Sequence, residues 1–254
     1  MPATLRQRDI GFQANLYESQ NPTRKWLHTT RRAWVLSKLQ SVTSPCARFL
    51  EVGIGCGVYT EWMARHGFVT GLDINEDFVL AANFLRNVDA RVGDITQATQ
   101  YDSEFDIAVC SEVIEHIVHS QAALNNIFRA LKSNGLLILT TPNRFSTMEL
   151  FARLLRFKLV AALARWVYGE PVDDLGHVNR LTRAALRKQI EMAGFEVVER
   201  YDVALYLPFV AEFGGSLGAS VCRWGAEVLR RSDVLSHLLW TQCWVLRKPA
   251  YADV

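Results

Sequence analysis

Residues 50–60 read LEVGIGCGVYT, and twenty positions beyond Gly53 a second apolar run, FVTGLDI (68–74), carries Asp73 at its tip. The first stretch reads as a buried strand over 49–52, a turn with glycines at 53, 55 and 57, and then the start of a helix. Glycines let a backbone turn tightly and approach a ligand closely, and the helix start behind them offers unpaired N–H groups. An acid at the tip of the next strand is placed to accept hydrogen bonds from ribose hydroxyls. Strand, glycine turn, helix, strand and acid in this order predict a cofactor that contains a nucleoside. A third acid, Asp94 in VGDI, follows a short strand-like run and is placed to face an adenine amino group.

Working outward, the alternation continues. A helix is expected over 75–87, with Phe78, Val79, Ala82 and Leu85 on one stripe, and another over 121–132, ended by Asn134-Gly135. The run GLLILTT (135–141) shows no polar alternation, so both of its faces should be buried. A helix over 182–193, capped near Thr182 and stopped by Gly194, leads to the strand FEVVERYDV (195–203), and TQCWVLRKP (241–249) closes the chain. Helices and strands in turn predict an α/β, doubly wound, seven-stranded sheet with right-handed crossovers. Before it, a helix from Thr23 repeats Trp26, Leu27, Trp34, Val35 and Leu39 at helical spacing, until Ser44-Pro45 breaks it.

The chain has 254 residues, half of them apolar and 21% charged, which fits a single domain over 1–254. A formal charge of +2 demands no nucleic-acid partner. Cysteines 46, 56, 110, 222 and 243 are scattered, odd in number and without a CxxC pair, a reduced and cytoplasmic pattern. No apolar signal core opens the chain, and no run approaches the roughly 18 apolar residues of a membrane span.

The glycines alternate as ExGxGxG behind Glu51, which is not the GxGxxG of nicotinamide sites. With Asp94, FDIAVCSEVIEHI (105–117) and LKSNGLLILTTPN (131–143) in that order, the chain resembles the class I S-adenosylmethionine-dependent methyltransferases, closely over 46–143 and loosely over 177–249. The resemblance implies a Rossmann-like sheet whose last strand pair is antiparallel. It also implies that Gly53, Gly55 and Gly57 pass the methionine part of the cofactor, that Asp73 holds the ribose, and that Asp94 and Ile95 sit at the adenine. Glu51, Ile74 and Ser111 complete the expected cofactor-binding set. A helix within residues 1–43 would lid the pocket, making Tyr17, His28 and Arg31 candidate contacts.

Ligands sit outside the carboxyl ends of the strands in such a sheet, and there the chain reads Ser111-Glu112-Val113-Ile114-Glu115-His116. If a helical turn starts after Cys110, Glu112, Glu115 and His116 share one face. Two carboxylates and an imidazole so close need a compensating positive charge, which a divalent cation (magnesium, manganese or zinc) would supply. The pattern E-x-x-E-H with a later His177 resembles two metal-dependent branches of the family, the quinone-pathway O-methyltransferases and the small-RNA 3′-end 2′-O-methyltransferases. That resemblance implies metal ligation by Glu112, Glu115, His116 and His177. Two other roles stay open: His116 or His177 as a metal-free general base, and a structural role. His66 and His119 read as surface residues.

Two segments lie outside the minimal fold. Residues 145–176 carry an apolar stripe at 150, 151, 154, 155, 159, 163, 166 and 167, flanked by Arg153, Arg156, Lys158 and Arg165. This reads as a helical cap over the site or as an interfacial helix giving peripheral membrane contact. Residues 204–240, with a flexible GGSLGAS (214–220) and an apolar helix, are expected to complete the pocket for an apolar or bulky acceptor. The leading expectation is O-methylation of a small-molecule or lipid-like acceptor. Its alternatives are RNA 3′-end 2′-O-methylation, N-methylation of an amino sugar, and a non-catalytic cofactor-binding partner subunit. The oligomeric state is not legible in the sequence.

Overall fold

The computed structural model of the chain describes residues 17–98, 100–154 and 178–250. Helix α1 (Pro22–Val42) precedes strand β1 (Ala47–Val52), then α2 (Thr60–His66), β2 (Gly67–Asp73), α3 (Glu76–Ala82), β3 (Val88–Val92) and β4 (Phe105–Ser111). There follow a short 3-10 turn (Ile114–His116), α4 (Ser120–Ala130), β5 (Leu131–Pro142) and α5 (Thr147–Leu154). The described chain resumes with α6 (Arg183–Met192), β6 (Glu196–Val203), α7 (Pro208–Phe213), α8 (Gly215–Arg230) and β7 (Thr241–Arg247). The strands form one seven-stranded sheet in the order β3-β2-β1-β4-β5-β7-β6. Strands β1 to β5 pair in parallel, and β7 slots antiparallel between β5 and β6.

Alternation along each strand divides the core between the two faces of the sheet. Leu50, Val52, Ala108, Cys110, Leu137 and Leu139 face α4 and α6 through Leu124, Ile127, Leu186 and Ile190. Phe49, Ile107, Val109 and Ile138 face the other way, onto Leu27, Val35 and Leu39 of α1 and Met63 of α2. Both faces are thus covered, as the unbroken apolar run in β5 requires.

Three local expectations are corrected. Helix α3 stops at Ala82 rather than 87, because the Asn83 amide donates to the Ala90 carbonyl (2.9 Å) and accepts from its N–H (2.8 Å), pulling the chain toward β3. Helix α4 ends at Ala130, since Leu131 already pairs with Phe105; Asn134-Gly135 sits within β5, with Asn134 in the left-handed region at φ 63°. The glycines of GGSLGAS are a packing seam and not a flexible linker. A Cβ on Gly218 would lie 2.2 Å from the Val210 carbonyl oxygen, so only glycine lets α7 and α8 pack this closely.

Of the cap expected over 145–176, α5 covers its first part, and residues 155–177 lie outside the described residues.

Candidate active site

The glycine turn leaves β1 at the carboxyl end of the sheet. Gly53, Gly55 and Gly57 all have positive φ (75°, 53° and 76°), a path that side chains resist. Gly53 carries a second constraint: a Cβ there would meet Val113 Cγ2 at 2.2 Å. The turn is pinned from below. The Gly53 N–H donates to the Leu72 carbonyl (2.8 Å), and the Gly55 N–H donates to Asp73 Oδ2 (3.0 Å). Asp73 also accepts from the Asn75 N–H through Oδ1 (2.9 Å), so both oxygens are oriented and each keeps a lone pair for a further donor. Beside it Ile74 is 79% exposed, an apolar surface at the tip of β2, whereas Ile95 is buried in the core. Asp94 is exposed and accepts from the Thr96 N–H (2.8 Å).

Glu51 lies beneath the turn, buried, accepting from the Thr60 hydroxyl at 2.6 Å. Burial, helped by the nearby Asp73 charge, pushes its pKa up to about 8. The carboxyl ties β1 to the first turn of α2 rather than lining an open surface.

At the tips of β4 and β5 a polar chain runs across the sheet. Tyr59 and Ser111 hydroxyls stand 3.3 Å apart, and Ser111 meets the Thr140 hydroxyl at 2.8 Å. Thr140 donates to Glu112 Oε1 (3.0 Å), and Arg31 Nη1 of α1 donates to Glu112 Oε2 (2.8 Å). Glu112 sits at φ 57°, so the chain swerves out of β4 immediately after Ser111. Burial alone would weaken the Arg31 charge, but the Glu112 carboxylate outweighs it and the guanidinium holds its proton more tightly. Arg31 also lies over the Trp240 ring (5.1 Å), and its buried Nε has no hydrogen-bond partner among the described residues. One helical turn earlier, His28 packs edge-on against Tyr17 and Trp240. Burial, with Arg31 and Arg24 adding to it, lowers its pKa to about 3, so the imidazole is neutral.

The shared helical face expected for Glu112, Glu115 and His116 is not formed, because a 3-10 turn begins only at Ile114. Thr140 holds Glu112 and Thr141 holds Glu115 (2.9 Å), so the two carboxylates are bound to successive residues of β5, whose side chains leave the strand on opposite faces. Glu115 is buried, and its pKa is raised well above the usual carboxylate range by that burial and by the Glu112 charge. His116 is exposed. Among the described residues no three His, Cys, Asp or Glu side chains converge where a metal could sit, and His177 lies outside them. The positive charge that the sequence assigned to a cation comes, for Glu112, from Arg31.

Several members of this cluster were not singled out by sequence reasoning: Tyr59, Thr140, Thr141 and Trp240. The threonine pair had a visible signal, two hydroxyls ending an otherwise apolar strand. Trp240 had none, since it arrives from a distant loop.

Residues 17–200 match the sequence profile of a methyltransferase-domain family, more than half of the chain. The ubiquinone biosynthesis O-methyltransferase of Coxiella burnetii is 33% identical over 111 residues, covering 41% of this chain and 47% of that protein. The enzyme of the same description from Psychrobacter cryohalolentis is 30% identical over 157 residues, covering 56% and 60%. The chain thus spans about half the length of the curated relatives it matches. Among solved structures, the N-methyltransferase NodS from Bradyrhizobium japonicum, in complex with S-adenosyl-L-homocysteine, superposes with a TM-score of 0.57 at 18% identity, covering 96% of each chain. At that identity the likeness is one of fold.

Proposed function

The chain belongs to the methyltransferase-domain family, and on that premise we propose that it is an S-adenosylmethionine-dependent methyltransferase that methylates a hydroxyl oxygen of a small-molecule or lipid-like acceptor. The observation that carries the site assignment is the Gly55 N–H bound to Asp73, which locks turn and acid into one cradle. The residues fit the cofactor. Asp73 keeps lone pairs for two ribose hydroxyls, Ile74 offers an apolar face to a base, and the orphaned Nε of Arg31 offers an N–H to a carboxylate. The likeness to ubiquinone biosynthesis O-methyltransferases supports oxygen as the atom methylated.

Bound there, the cofactor supplies an electrophilic sulfonium methyl group. The protein's share is alignment, since in-line transfer depends chiefly on how the two partners are held. The Arg31–Glu112 pair fixes α1 over the tips of β4 and β5, so Tyr17, His28 and Trp240 form an aromatic wall beside them. The proton leaving the acceptor hydroxyl needs a base at the rim, and exposed His116 is the described candidate. The five cysteines are all free, which supports a cytoplasmic location. A divalent cation at Glu112 would have to displace Arg31.

The test is transfer of labelled methyl from S-adenosylmethionine to a panel of phenols, catechols, amino sugars and short RNAs, with and without a chelator. Labelled phenols or catechols in the presence of chelator support the proposal. Labelled amines or RNA ends, or activity that chelator removes, would overturn it in acceptor or in metal dependence.

A further inference from the structure

The face of an aromatic ring is electron-rich and attracts cations, which is how aromatic cages recognise ammonium groups. In the wall beside the tips of β4 and β5 the chain itself has taken those faces. The Arg31 guanidinium lies over the Trp240 ring at 5.1 Å from its centroid, and Arg32 lies over the Tyr17 ring at 5.8 Å. His28 stands between the two rings, edge-on to Trp240 at 5.1 Å and to Tyr17 at 5.7 Å. Positions 28, 31 and 32 are spaced by three and four along α1, so one helix face carries the imidazole and both guanidiniums. Trp240 is buried and Tyr17 half-buried.

The charges around this wall leave no carboxylate to receive a further cation. Glu112 is taken by Arg31 and Glu212 by Arg24. Glu18, next to Tyr17, is exposed and screened by water. Arg32 makes no ion pair among the described residues. Burial pushes the Cys56 thiol up while the Arg32 charge opposes it, so Arg32 also stands near the glycine turn. His28 is neutral, because burial and the Arg31 and Arg24 charges hold its pKa at about 3. Its Nδ1 is buried without a hydrogen-bond partner among the described residues. A buried polar atom left unpaired is costly, and its cost is relieved by whatever ligand group pairs with it. A hydroxyl suits either tautomer, since it donates to a bare ring nitrogen or accepts from an N–H. An ammonium can only donate, and it would add a third positive charge beside two guanidiniums.

We propose that the Tyr17–His28–Trp240 wall is a specificity filter, in which His28 pairs with an uncharged hydroxylic acceptor while Arg31 and Arg32 repel amines. This rests on the methyl-transfer reading and goes beyond it by naming the residues that exclude nitrogen acceptors. Specificity is a difference of two affinities, and both halves of that difference are present here. The attractive half is the unmet hydrogen bond of His28. The repulsive half is the pair of guanidiniums on the ring faces that an amine would otherwise use. An amine, charged at neutral pH, would have to displace a guanidinium from its ring, and Glu112 holds Arg31 in place at 2.8 Å.

The assay is calorimetric binding of benzyl alcohol and of benzylamine, alike in shape but unlike in charge at neutral pH, to the full chain saturated with S-adenosylhomocysteine. It reads no turnover, so its failure is separate from failure of the methyl-transfer reading, which S-adenosylhomocysteine binding and labelled methyl transfer report. Wild type should bind the alcohol at least about tenfold more tightly than the amine. Arg31→Met with Glu112→Gln opens the Trp240 face while net charge stays the same, and should cut that preference at least about tenfold. Arg32→Gln, at an exposed position, should cut it too and keeps the test decisive if the paired variant loses its cofactor. His28→Leu should weaken the alcohol at least about tenfold and leave the amine unchanged, and His28→Asn, which keeps a polar atom near Nδ1, should restore most of the loss. The preference is a ratio taken on one protein, so a folding defect that weakens both probes alike leaves it unmoved. Equal affinity of wild type for the two probes, tighter binding of the amine, binding of neither, or a preference unchanged in Arg32→Gln and His28→Leu would each overturn it.

Discussion

Replacing Arg31 by Met removes the cation that neutralises Glu112 while keeping most of the aliphatic stem over Trp240. Breaking a buried ion pair by deleting one partner costs about 3–5 kcal/mol, because the remaining charge stays buried. Glu112 keeps 18% side-chain exposure and the Thr140 hydroxyl, which puts the cost at the lower end, about 3 kcal/mol. At roughly 2–4 °C per kcal/mol for a chain of this size, Tm should fall by about 6–12 °C. Adding Glu112→Gln removes the stranded charge yet leaves an oxygen for Thr140, so the double variant should regain at least about 2 kcal/mol. Urea denaturation of wild type, both single variants and the double variant measures the coupling. A loss below about 0.5 kcal/mol for Arg31→Met, as an exposed pair gives, would refute the reasoning. So would a double variant as unstable as the two single losses summed.

Three further outcomes follow from the geometry. Gly53→Ala adds a strained left-handed backbone, at about 1–2 kcal/mol, and a collision with Val113; S-adenosylhomocysteine binding by calorimetry should weaken at least about tenfold, with partial recovery on adding Val113→Ala. Glu51 has its folded pKa raised to about 8, so the fold favours its protonated form, and its contribution to stability is lost as pH rises from the unfolded value near 4.5 toward 8. Glu51→Gln should remove that loss, gaining on the order of 3–5 kcal/mol over wild type at pH 8.5 and little at pH 4 in denaturant titrations; equal pH profiles would contradict this. Glu115, whose pKa burial and the Glu112 charge raise well above the usual carboxylate range, should tolerate the uncharged Glu115→Gln with little change in Tm or in S-adenosylhomocysteine affinity, whereas a large fall in either would return it to the site as a charged group.

The glycine turn and its link to Asp73 were legible because they are local. Turn, strand tip and acid lie within a short span, and each residue type answers to one backbone or hydrogen-bonding need. The seven strands were legible for the same reason, since apolar runs and their glycine and proline boundaries are local signals. The polar cluster around Glu112 was not. Arg31 reaches Glu112 across 81 positions, and Trp240 comes from a loop that the β5–β7 pairing and its backbone bonds to Asn143 and Ala204 bring near. The reading of Glu112, Glu115 and His116 as one helical face failed at a single dihedral, the positive φ of Glu112, which no spacing rule reveals. The glycines of 214–220 looked like a linker because flexibility and close packing use the same residue.

Cofactor binding is the central claim, and calorimetry with S-adenosylhomocysteine in the presence of a chelator tests it most directly, with wild type compared with Asp73→Ala. The account predicts one site per chain for wild type without added metal, and loss of at least tenfold in affinity for the variant. No binding by wild type, or equal affinity for both proteins, would contradict it.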